Sequence, residues 1–307
     1  MMRRFFRQTG YFRRNRYKPL FVPAVLVLGS VAGISAQDQP GTAGSAEGRA
    51  LLEKALRHLP QAEFWRAEFR QHWLQGGIVA ETVGSYWVGP KRRSRLETRA
   101  RVGDVQAELF IYCDGQTVWR RECIGLAEPR LERFTVEELE QAIRQANLPE
   151  NEAAQVREAI WAELGYLSLR GRLRELANRL QWGAPQASQL PDGRHVWLLE
   201  GTWNEKTLQD AFRGQLPQAP DVPRRCRLFL LRQDCWWGGD SLWLARIEWL
   251  GVPRGEKEEK TLVVIEWHSP QRLDEEEFRS PFSPQEMQNA TSANTEALVK
   301  EMVQRMR

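Results

Sequence analysis

The stretch from Val105 to Arg121, VQAELFIYCDGQTVWRR, decides the fold of this chain. The residues on both sides of Asp114-Gly115 follow the period of two that is typical of β-strands. Asp-Gly supplies the positive φ angles that a two-residue hairpin loop requires. We therefore predict a tight antiparallel hairpin in which Cys113 lies opposite Gln116.

The same pattern extends backwards from this hairpin. Gly-Gly, Gly-Pro and Gly-Asp pairs interrupt it at short intervals, and short connections join antiparallel neighbours. We predict a meander of five strands at Phe64–Leu74, Ile78–Val88, Ser94–Arg101, Val105–Cys113 and Thr117–Arg121.

Helical patterns follow the meander. Thr135 and Glu138 form a capping box, which predicts the start of a helical insertion over residues 135–180. A second box opens at Ser283 and predicts a C-terminal helical tail over residues 283–307. Each amphipathic helix needs an apolar partner, and the sheet is the large surface that can supply one.

Strands resume after the insertion. Together with the meander and the helices, they predict a single α+β domain over residues 49–282, in which one strongly curved antiparallel sheet wraps the helices. The later strands are predicted at His195–Trp203, Arg225–Arg232, Leu242–Leu250 and Thr261–His268.

Residues 1–36 are typical of a secretory signal peptide. Seven basic residues precede an apolar run that ends at Leu28, and small residues follow up to Ala36, which is the order of a signal and its cleavage site. We predict an exported, periplasmic protein that is cleaved after Ala36, with a flexible spacer at 37–48. The alternative is an uncleaved segment that tethers the chain to the inner membrane.

The signal segment also carries the excess of positive charge. The whole chain has 44 Lys and Arg against 40 Asp and Glu, and without the seven basic residues of the signal the net charge becomes about −3. Binding along a nucleic acid needs a retained basic patch for the phosphates. The composition therefore argues against a nucleic-acid partner.

Four cysteines in an exported chain allow up to two disulfides. Cys113, Cys123, Cys226 and Cys235 allow three connectivities, and the sequence leaves the choice open. The hairpin register places Cys113 and Cys123 roughly 20 Å apart or more, which disfavours a bond between those two. No CxxC pair occurs, so a zinc site is not expected.

Thirteen tryptophans either fill the core or build the wall of an apolar cavity. The chain has no GxSxG, HExxH, GxGxxG or phosphate-loop motif, and its four histidines lie far apart in sequence. We therefore expect no catalytic residue, no cofactor and no metal site, and we predict that the protein is not an enzyme.

Four segments between residues 61 and 282 resemble one protein family in their order along the chain. The family is the periplasmic outer-membrane lipoprotein carrier family (LolA/LolB-like). In order, the four segments resemble its first strand, its aromatic strand before a proline, its Asp-Gly hairpin and its closing segment. The segments are FWRAEFRQ at 64–71, GSYWVGP at 84–90, DGQTVW at 114–119 and LDEEEF at 273–278.

The resemblance implies an incomplete antiparallel β-barrel with an apolar concave face, closed by a helical lid. Members hold the acyl chains of lipoproteins while these cross the periplasm, without a cofactor. For this chain the resemblance implies lipoprotein or lipid acyl chains as partners, envelope membrane proteins as further candidates, and a monomer. Shielding an acyl chain from water removes a cost of about 0.8 kcal/mol for each CH₂.

The chain also departs from the family pattern. Gly89 stands where the family has an arginine that is thought to tie the lid to the barrel, and Lys91 or Arg92 could take over this lid or partner contact. The helical insertion is longer than the usual lid, and the four cysteines are additional. An alternative function is therefore a non-catalytic envelope sensor or protein-interaction module on the same fold.

Alternation along the strands selects the residues that we expect to line the acyl-binding cavity, although both faces of several strands are apolar. They are large apolar residues of the strands and of the helical insertion: Trp87, Phe110, Trp119, Ile160, Leu164, Phe229, Trp243, Ile247, Trp249, Ile265 and Trp267.

Overall fold

The computed structural model of the chain describes residues 45–58, 63–75, 78–163, 169–203, 223–231, 242–253, 256–268 and 270–306. The predicted signal segment, its cleavage site and most of the predicted spacer lie outside these residues. No helix among the described residues is long and apolar enough to cross a bilayer.

Six α-helices and one short 3₁₀-helix, Glu275–Glu277, lie in the described residues. The first helix begins at Ala46, inside the stretch predicted to be a spacer. The α-helices are α1 Ala46–His58, α2 Val136–Gln145, α3 Glu150–Glu163, α4 Leu169–Arg179, α5 Pro284–Gln288 and α6 Thr295–Met306.

Both predicted capping boxes are confirmed. The Thr135 hydroxyl accepts a hydrogen bond from the amide of Glu138 at 3.0 Å, and the Glu138 carboxylate accepts one from the Thr135 amide at 2.6 Å. Ser283 and Glu286 repeat this arrangement at the start of α5. Each box satisfies amides that the first turn of a helix leaves without an intrahelical partner.

Fourteen β-strands are described, and two of the predicted strands, Ile78–Val88 and His195–Trp203, have the predicted bounds. A sixth strand, Arg130–Thr135, follows the five predicted strands of the meander and precedes the first helix of the insertion. The strands are β1 Trp65–Gln75, β2 Ile78–Val88, β3 Arg93–Val102, β4 Val105–Asp114, β5 Thr117–Ile124, β6 Arg130–Thr135, β7 Leu180–Trp182, β8 Gln186–Gln189, β9 His195–Trp203, β10 Arg225–Leu231, β11 Trp243–Gly251, β12 Lys260–Trp267, β13 Gln271–Arg272 and β14 Thr291–Ser292.

These strands form one sheet in the order β14-β6-β5-β4-β3-β2-β1-β12-β11-β10-β9-β7, with β13 beside β1 and β8 beside β9. The pairing is antiparallel except between β14 and β6, which are parallel. The sheet does not close into a barrel, since its terminal strands β14 and β7 are not paired with each other. The protein is therefore an α+β fold with a large, open, mainly antiparallel sheet.

The two faces of the sheet differ in burial. Along β1, Trp65, Ala67 and Gln71 are buried, while Glu68 and Arg70 between them are exposed, because successive side chains of a strand point to opposite faces. We call the face that carries Trp65 and Ala67 the inner face, and the opposite one the outer face. Residues that pair directly across neighbouring strands lie on the same face. The inner face therefore includes Tyr86, Leu96 and Ile111 on one side of β1, and Ile265, Ile247 and Leu228 on the other.

The helices cover the inner face. Buried side chains of α1, α2, α3, α4 and α6 join the inner-face residues in one continuous apolar cluster. Leu139, Ala142 and Ile143 of α2 are buried in it, as the stripe behind the first capping box requires. Val299 and Met302 of α6 belong to it as well, so the C-terminal tail contributes to the same core as the sheet.

The register of the central hairpin differs from the prediction by two residues. Cys113 pairs with Val118 rather than with Gln116, and the loop consists of Gly115 and Gln116. The Asp114 carboxylate accepts hydrogen bonds from the amides of Gln116 and Thr117, each at 2.8 Å. Asp114 therefore ends the strand instead of entering the loop, and a shift of two residues leaves every side chain on its face.

The helices pack on one another in two groups. Helices α2, α3 and α6 contact one another, and α1 contacts α4. A salt bridge between Arg157 and Glu140, with N and O 2.9 Å apart, joins α3 to α2. The segment 164–168 between α3 and α4 lies outside the described residues.

Candidate functional site

The predicted cavity residues divide between the two faces of the sheet. The strand register places Trp87, Phe110, Trp119 and Phe229 on the outer face, although Phe229 also packs against the main cluster. Leu164 lies outside the described residues. The remaining residues are buried in the main cluster between sheet and helices: Ile160, Trp243, Ile247, Trp249, Ile265 and Trp267.

Trp65, which the cavity prediction omitted, lies at the centre of the inner face. Its ring packs edge to face on Tyr86 and on Trp243, with centroid distances of 5.8 and 5.6 Å. Only 2% of its surface is exposed. Its position in the first strand, two residues before Ala67 in the same alternating row, was the signal in the sequence that could have identified it.

The indole N–H groups of the inner-face tryptophans do not all have a hydrogen-bond acceptor. Trp182 Nε1 donates to the Leu176 carbonyl at 3.2 Å, and Trp203 Nε1 donates to the Pro223 carbonyl at 3.1 Å. Trp65 Nε1 has no acceptor among the described residues. A buried N–H without an acceptor costs free energy, so this donor is available to a carbonyl or hydroxyl oxygen that enters the cluster.

A short polar strip interrupts the apolar inner face on β1, β2 and β3. Gln71, Thr82 and Thr98 are each at least 95% buried there. Thr98 Oγ1 donates to the Leu109 carbonyl at 3.4 Å. These side chains are uncharged, so the inner face combines an aromatic wall with polar groups that need no counter-ion.

The outer face of β9 to β12 is instead covered by ion pairs. Arg227 Nε donates to Glu200 at 2.6 Å, and Arg246 Nε donates to Glu248 at 2.8 Å. Arg246 also pairs with Glu266. Charged groups of both signs along a strand surface keep it hydrated, so this face does not suit an apolar ligand.

A second, smaller apolar cluster lies on the outer face of β1 to β4. Phe64, Trp87 and Phe278 are buried in it, with Tyr112 packed against them. The Phe64 and Phe278 centroids are 5.3 Å apart, and the Arg95 guanidinium lies over the Trp87 ring at 4.3 Å. The segment after β12 crosses the outer face here, so Trp87 anchors this crossing and does not line a cavity on the inner face.

Gly89 belongs to this outer cluster as well. A Cβ at Gly89 would meet the Phe64 ring at 2.3 Å. The ring therefore occupies the space that the arginine of the resembled family would need. Lys91 and Arg92, the predicted substitutes, lie in the following turn with φ of 55° and 66° and are exposed.

No disulfide forms among the cysteines of the described residues. Cys113, Cys123 and Cys226 are free thiols, and Cys235 lies outside the described residues. Cys113 and Cys226 are buried at separate positions of the inner face, and Cys123 lies opposite Glu108 on β5. Burial raises the pKa of Cys113 to about 11 and also raises that of Cys226, so both thiols are neutral at pH 7.

Potential catalytic and metal-binding groups are dispersed in the described part of the chain. No group of three or more His, Cys, Asp or Glu residues lies close enough there to hold a metal ion. Three of the four histidines, His72, His195 and His268, are exposed at strand positions or strand ends.

No family model and no curated protein matches the sequence. The chain is similar in structure to LprF from Mycobacterium bovis, with 12% sequence identity, coverage of 73% of this chain and 93% of that chain, and a TM-score of 0.35. It is similar to a putative outer membrane lipoprotein-sorting protein domain from Vibrio parahaemolyticus, with 8% identity, coverage of 76% and 96%, and a TM-score of 0.25.

A third similar structure is a LolA superfamily protein from Nitrosomonas europaea, with 10% identity, coverage of 77% of this chain and 99% of that chain, and a TM-score of 0.22. Two of the three bear names of the family that the sequence resembles. At these identities and TM-scores, the likenesses carry no argument about function.

Proposed function

We propose that the chain is an envelope carrier of lipid or lipoprotein acyl chains, which it holds between the inner face of the sheet and the helices. The observation that supports this most is the apolar cluster on the inner face. Trp65, Trp243 and Trp267 contribute large aromatic surfaces to it from three different strands. Glu248, the one charged residue buried in the described part of the chain, lies on the outer face.

Entry of a ligand requires the helices to separate from the sheet or from one another. The boundary between the α2, α3, α6 group and the α1, α4 pair is the natural place for such an opening, since helices within each group contact one another. Ile160 of α3 and Leu173 of α4 are both buried in the main cluster. Their movement would expose the inner wall to an acyl chain.

The energy of transfer is sufficient for this opening. An acyl chain of about 14 methylenes gains on the order of 11 kcal/mol when it leaves water. Exposing one large apolar side chain such as Ile160 costs about 1.5–3 kcal/mol. One acyl chain can therefore offset the exposure of roughly four to seven side chains.

The carrier that we propose is not an enzyme and needs no cofactor, because shielding an acyl chain from water requires no bond to be made or broken. It acts in the periplasm after export by the segment 1–36. An unsatisfied donor at Trp65 Nε1 suits the ester or amide carbonyl at the head of an acyl chain.

A binding titration tests the proposal. The protein is purified from a periplasmic extract, stripped of lipid, and titrated with a fluorescent fatty acid, and a lipid extract of the untreated protein is examined by mass spectrometry. We expect saturable uptake and a co-purified lipid. If the protein takes up no fatty acid and carries no co-purified lipid, the proposal is overturned.

Matched variants locate the binding to the inner face. Val263→Thr exchanges a buried methyl for a hydroxyl on the inner face at nearly constant volume, while Val83→Thr makes the same exchange on the outer face, where Val83 is 39% exposed. Burying an unsatisfied hydroxyl beside the acyl chain costs about 1–3 kcal/mol. We expect Val263→Thr to weaken uptake about tenfold or more, and Val83→Thr to leave it unchanged.

A further inference from the structure

A pocket of about 690 Å³ lies on the outer side of the sheet, apart from the apolar cluster on the inner face. Three elements meet there: the turn between β2 and β3, the loop of the β4–β5 hairpin, and the 3₁₀-helix that follows β13. Its lining consists of Lys91, Arg93, Tyr112, Asp114, Gly115, Gln116, Glu275 and Phe278.

The backbone of this pocket is fixed by close packing of the two turns. Gly115 has a φ of +103°, and a Cβ there would meet the Lys91 carbonyl oxygen at 2.5 Å. Lys91 and Arg92 have consecutive left-handed conformations, which non-glycine residues rarely adopt. Strained conformations of this kind are concentrated at binding sites, where the surrounding structure holds them.

Three side chains of the lining have donor groups that are free to bind a ligand. Lys91 Nζ, the Tyr112 hydroxyl and the Gln116 side-chain amide have no hydrogen-bond or ion-pair partner among the described residues. Arg93, by contrast, pairs with Glu275 and lies over the Phe64 ring at 5.5 Å. The free donors are an ammonium, a phenol and an amide, and all three can bond an oxyanion.

The lining also carries negative charge and aromatic surface. Asp114 and Glu275 bring two carboxylates against the two cations Lys91 and Arg93, so the lining has no net charge. A simple anion would meet these carboxylates, whereas an ammonium group is attracted by them and by the aromatic rings of Tyr112 and Phe278. Charges of both signs in one pocket suit a ligand that also carries both.

We propose that this pocket binds a zwitterionic group that contains a phosphate and an ammonium, of the phosphoethanolamine type. Lys91, Tyr112 and Gln116 bind the phosphate, and Asp114 and Glu275 face the ammonium. Burial, and next the charge of Asp114, raise the pKa of Tyr112, so its hydroxyl keeps the proton that it donates. This site is independent of the acyl-chain site on the inner face, and either one can fail without the other.

A titration with soluble O-phosphoethanolamine tests the site, followed by the tryptophan fluorescence of the protein or by calorimetry. Glycerol phosphate and ethanolamine, which carry one charged group each, serve as comparison ligands. We expect O-phosphoethanolamine to bind about tenfold more tightly than either, because one charge-assisted contact is lost with each. Equal binding of glycerol phosphate, or no binding of O-phosphoethanolamine, would overturn the proposal.

Matched variants in one turn distinguish the pocket from general surface charge. Lys91→Gln removes a cation that lines the pocket, whereas Arg92→Gln removes its exposed neighbour, which does not. We expect about tenfold weaker binding for Lys91→Gln and for Tyr112→Phe, and a change of less than about twofold for Arg92→Gln. An equal loss in Lys91→Gln and Arg92→Gln contradicts a built site.

Vesicles identify the source of the group. Co-flotation with phosphatidylethanolamine vesicles that Lys91→Gln abolishes assigns the pocket to a lipid head group. Binding of soluble O-phosphoethanolamine without co-flotation assigns it to a free small molecule, and both results support the pocket.

Discussion

The Trp65 ring of β1 meets the Trp243 ring of β11 edge to face, with centroids 5.6 Å apart and ring planes at 88°. β12 lies between these two strands in the order of the sheet. The contact therefore joins the meander of the first five strands to the later strands across the inner face. Both rings are at least 98% buried, so the aromatic wall proposed for acyl chains is also a main structural link of the fold.

Truncation of Trp65 should be far more costly than its replacement by another ring. We expect Trp65→Ala to lower the free energy of unfolding by about 3–5 kcal/mol, because it leaves a large cavity in the cluster. Trp65→Phe keeps an aromatic edge against Trp243 and removes the N–H without an acceptor, so it should cost less than about 2 kcal/mol. Urea unfolding monitored by circular dichroism measures both. Equal losses in the two variants would show that the ring contact does not link the two parts of the sheet.

Gly89 should not tolerate even the smallest side chain. A Cβ at this position would meet the Phe64 ring at 2.3 Å, so Gly89→Ala must displace the outer cluster and should cost about 1–3 kcal/mol. Gly183→Ala is the matched control, since the nearest atom to its Cβ would be the Glu200 carbonyl oxygen at 3.5 Å. We expect the control to change stability by less than about 0.5 kcal/mol in the same urea experiment. Equal effects of the two substitutions would contradict this packing.

The capping box of α5 should make stability depend on pH. Hydrogen bonds from Ser283, first that from its amide, and then the charge of Arg121 lower the pKa of Glu286 from its ordinary value of 4.5. A lowered pKa in the folded state contributes stability above pH 4.5 that is lost as the pH falls through the lowered value. Wild-type thermal stability should therefore decrease more steeply below pH 4.5 than that of Glu286→Gln.

Glu128→Gln is the control for this comparison, because Glu128 lies in an exposed loop and has no hydrogen bond or ion pair among the described residues. Its pH profile should match that of the wild type. A Glu286→Gln profile that also coincides with the wild type would show that the cap does not contribute.

The thiols of Cys113, Cys123 and Cys226 should differ in their rate of alkylation. Only Cys123 is partly exposed, while burial raises the pKa of Cys113 to about 11 and disfavours its thiolate at neutral pH. We expect iodoacetamide at pH 8 to alkylate Cys123 in the native protein, and to alkylate Cys113 and Cys226 only after unfolding. Peptide mass spectrometry assigns each site. Alkylation of native Cys113 at the rate of Cys123 would contradict its burial.

Local patterns in the sequence predicted much of the fold, since turn pairs and capping boxes act over a few residues. Ile78–Val88 and His195–Trp203 have the predicted bounds, and the box at Thr135 starts the predicted helix. The hairpin register failed because Asp114 can serve either as a loop residue or as a side-chain cap of the loop. Only the fold shows that its carboxylate accepts from the amides of the following residues.

The strands that were missed are defined by distant partners. β14 has two residues and exists because it pairs in parallel with β6, about 160 residues earlier in the chain. β7 and β8 likewise depend on β9. A stretch of two to four residues has too short a pattern to be recognised from its own sequence.

Alternation along the strands could not give the geometry of the candidate site. Tyr86 and Trp87 are adjacent aromatic residues, so the alternation of β2 could not decide which of them faces inward. The crossing of Phe278 over the outer face decides it, because Phe278 gives Trp87 an apolar partner there. A segment nearly 200 residues away in sequence thus determines the environment of Trp87.

The most direct test of the proposed carrier is photocrosslinking with a fatty acid that bears a diazirine near its methyl end. The modified residues are mapped by mass spectrometry of the delipidated and reloaded protein. The proposed function predicts adducts on inner-face and helix residues such as Ile247, Trp249 and Ile160, with none on Trp119 or Trp87 of the outer face. Adducts confined to the outer face, or no adduct that free fatty acid competes away, would contradict it.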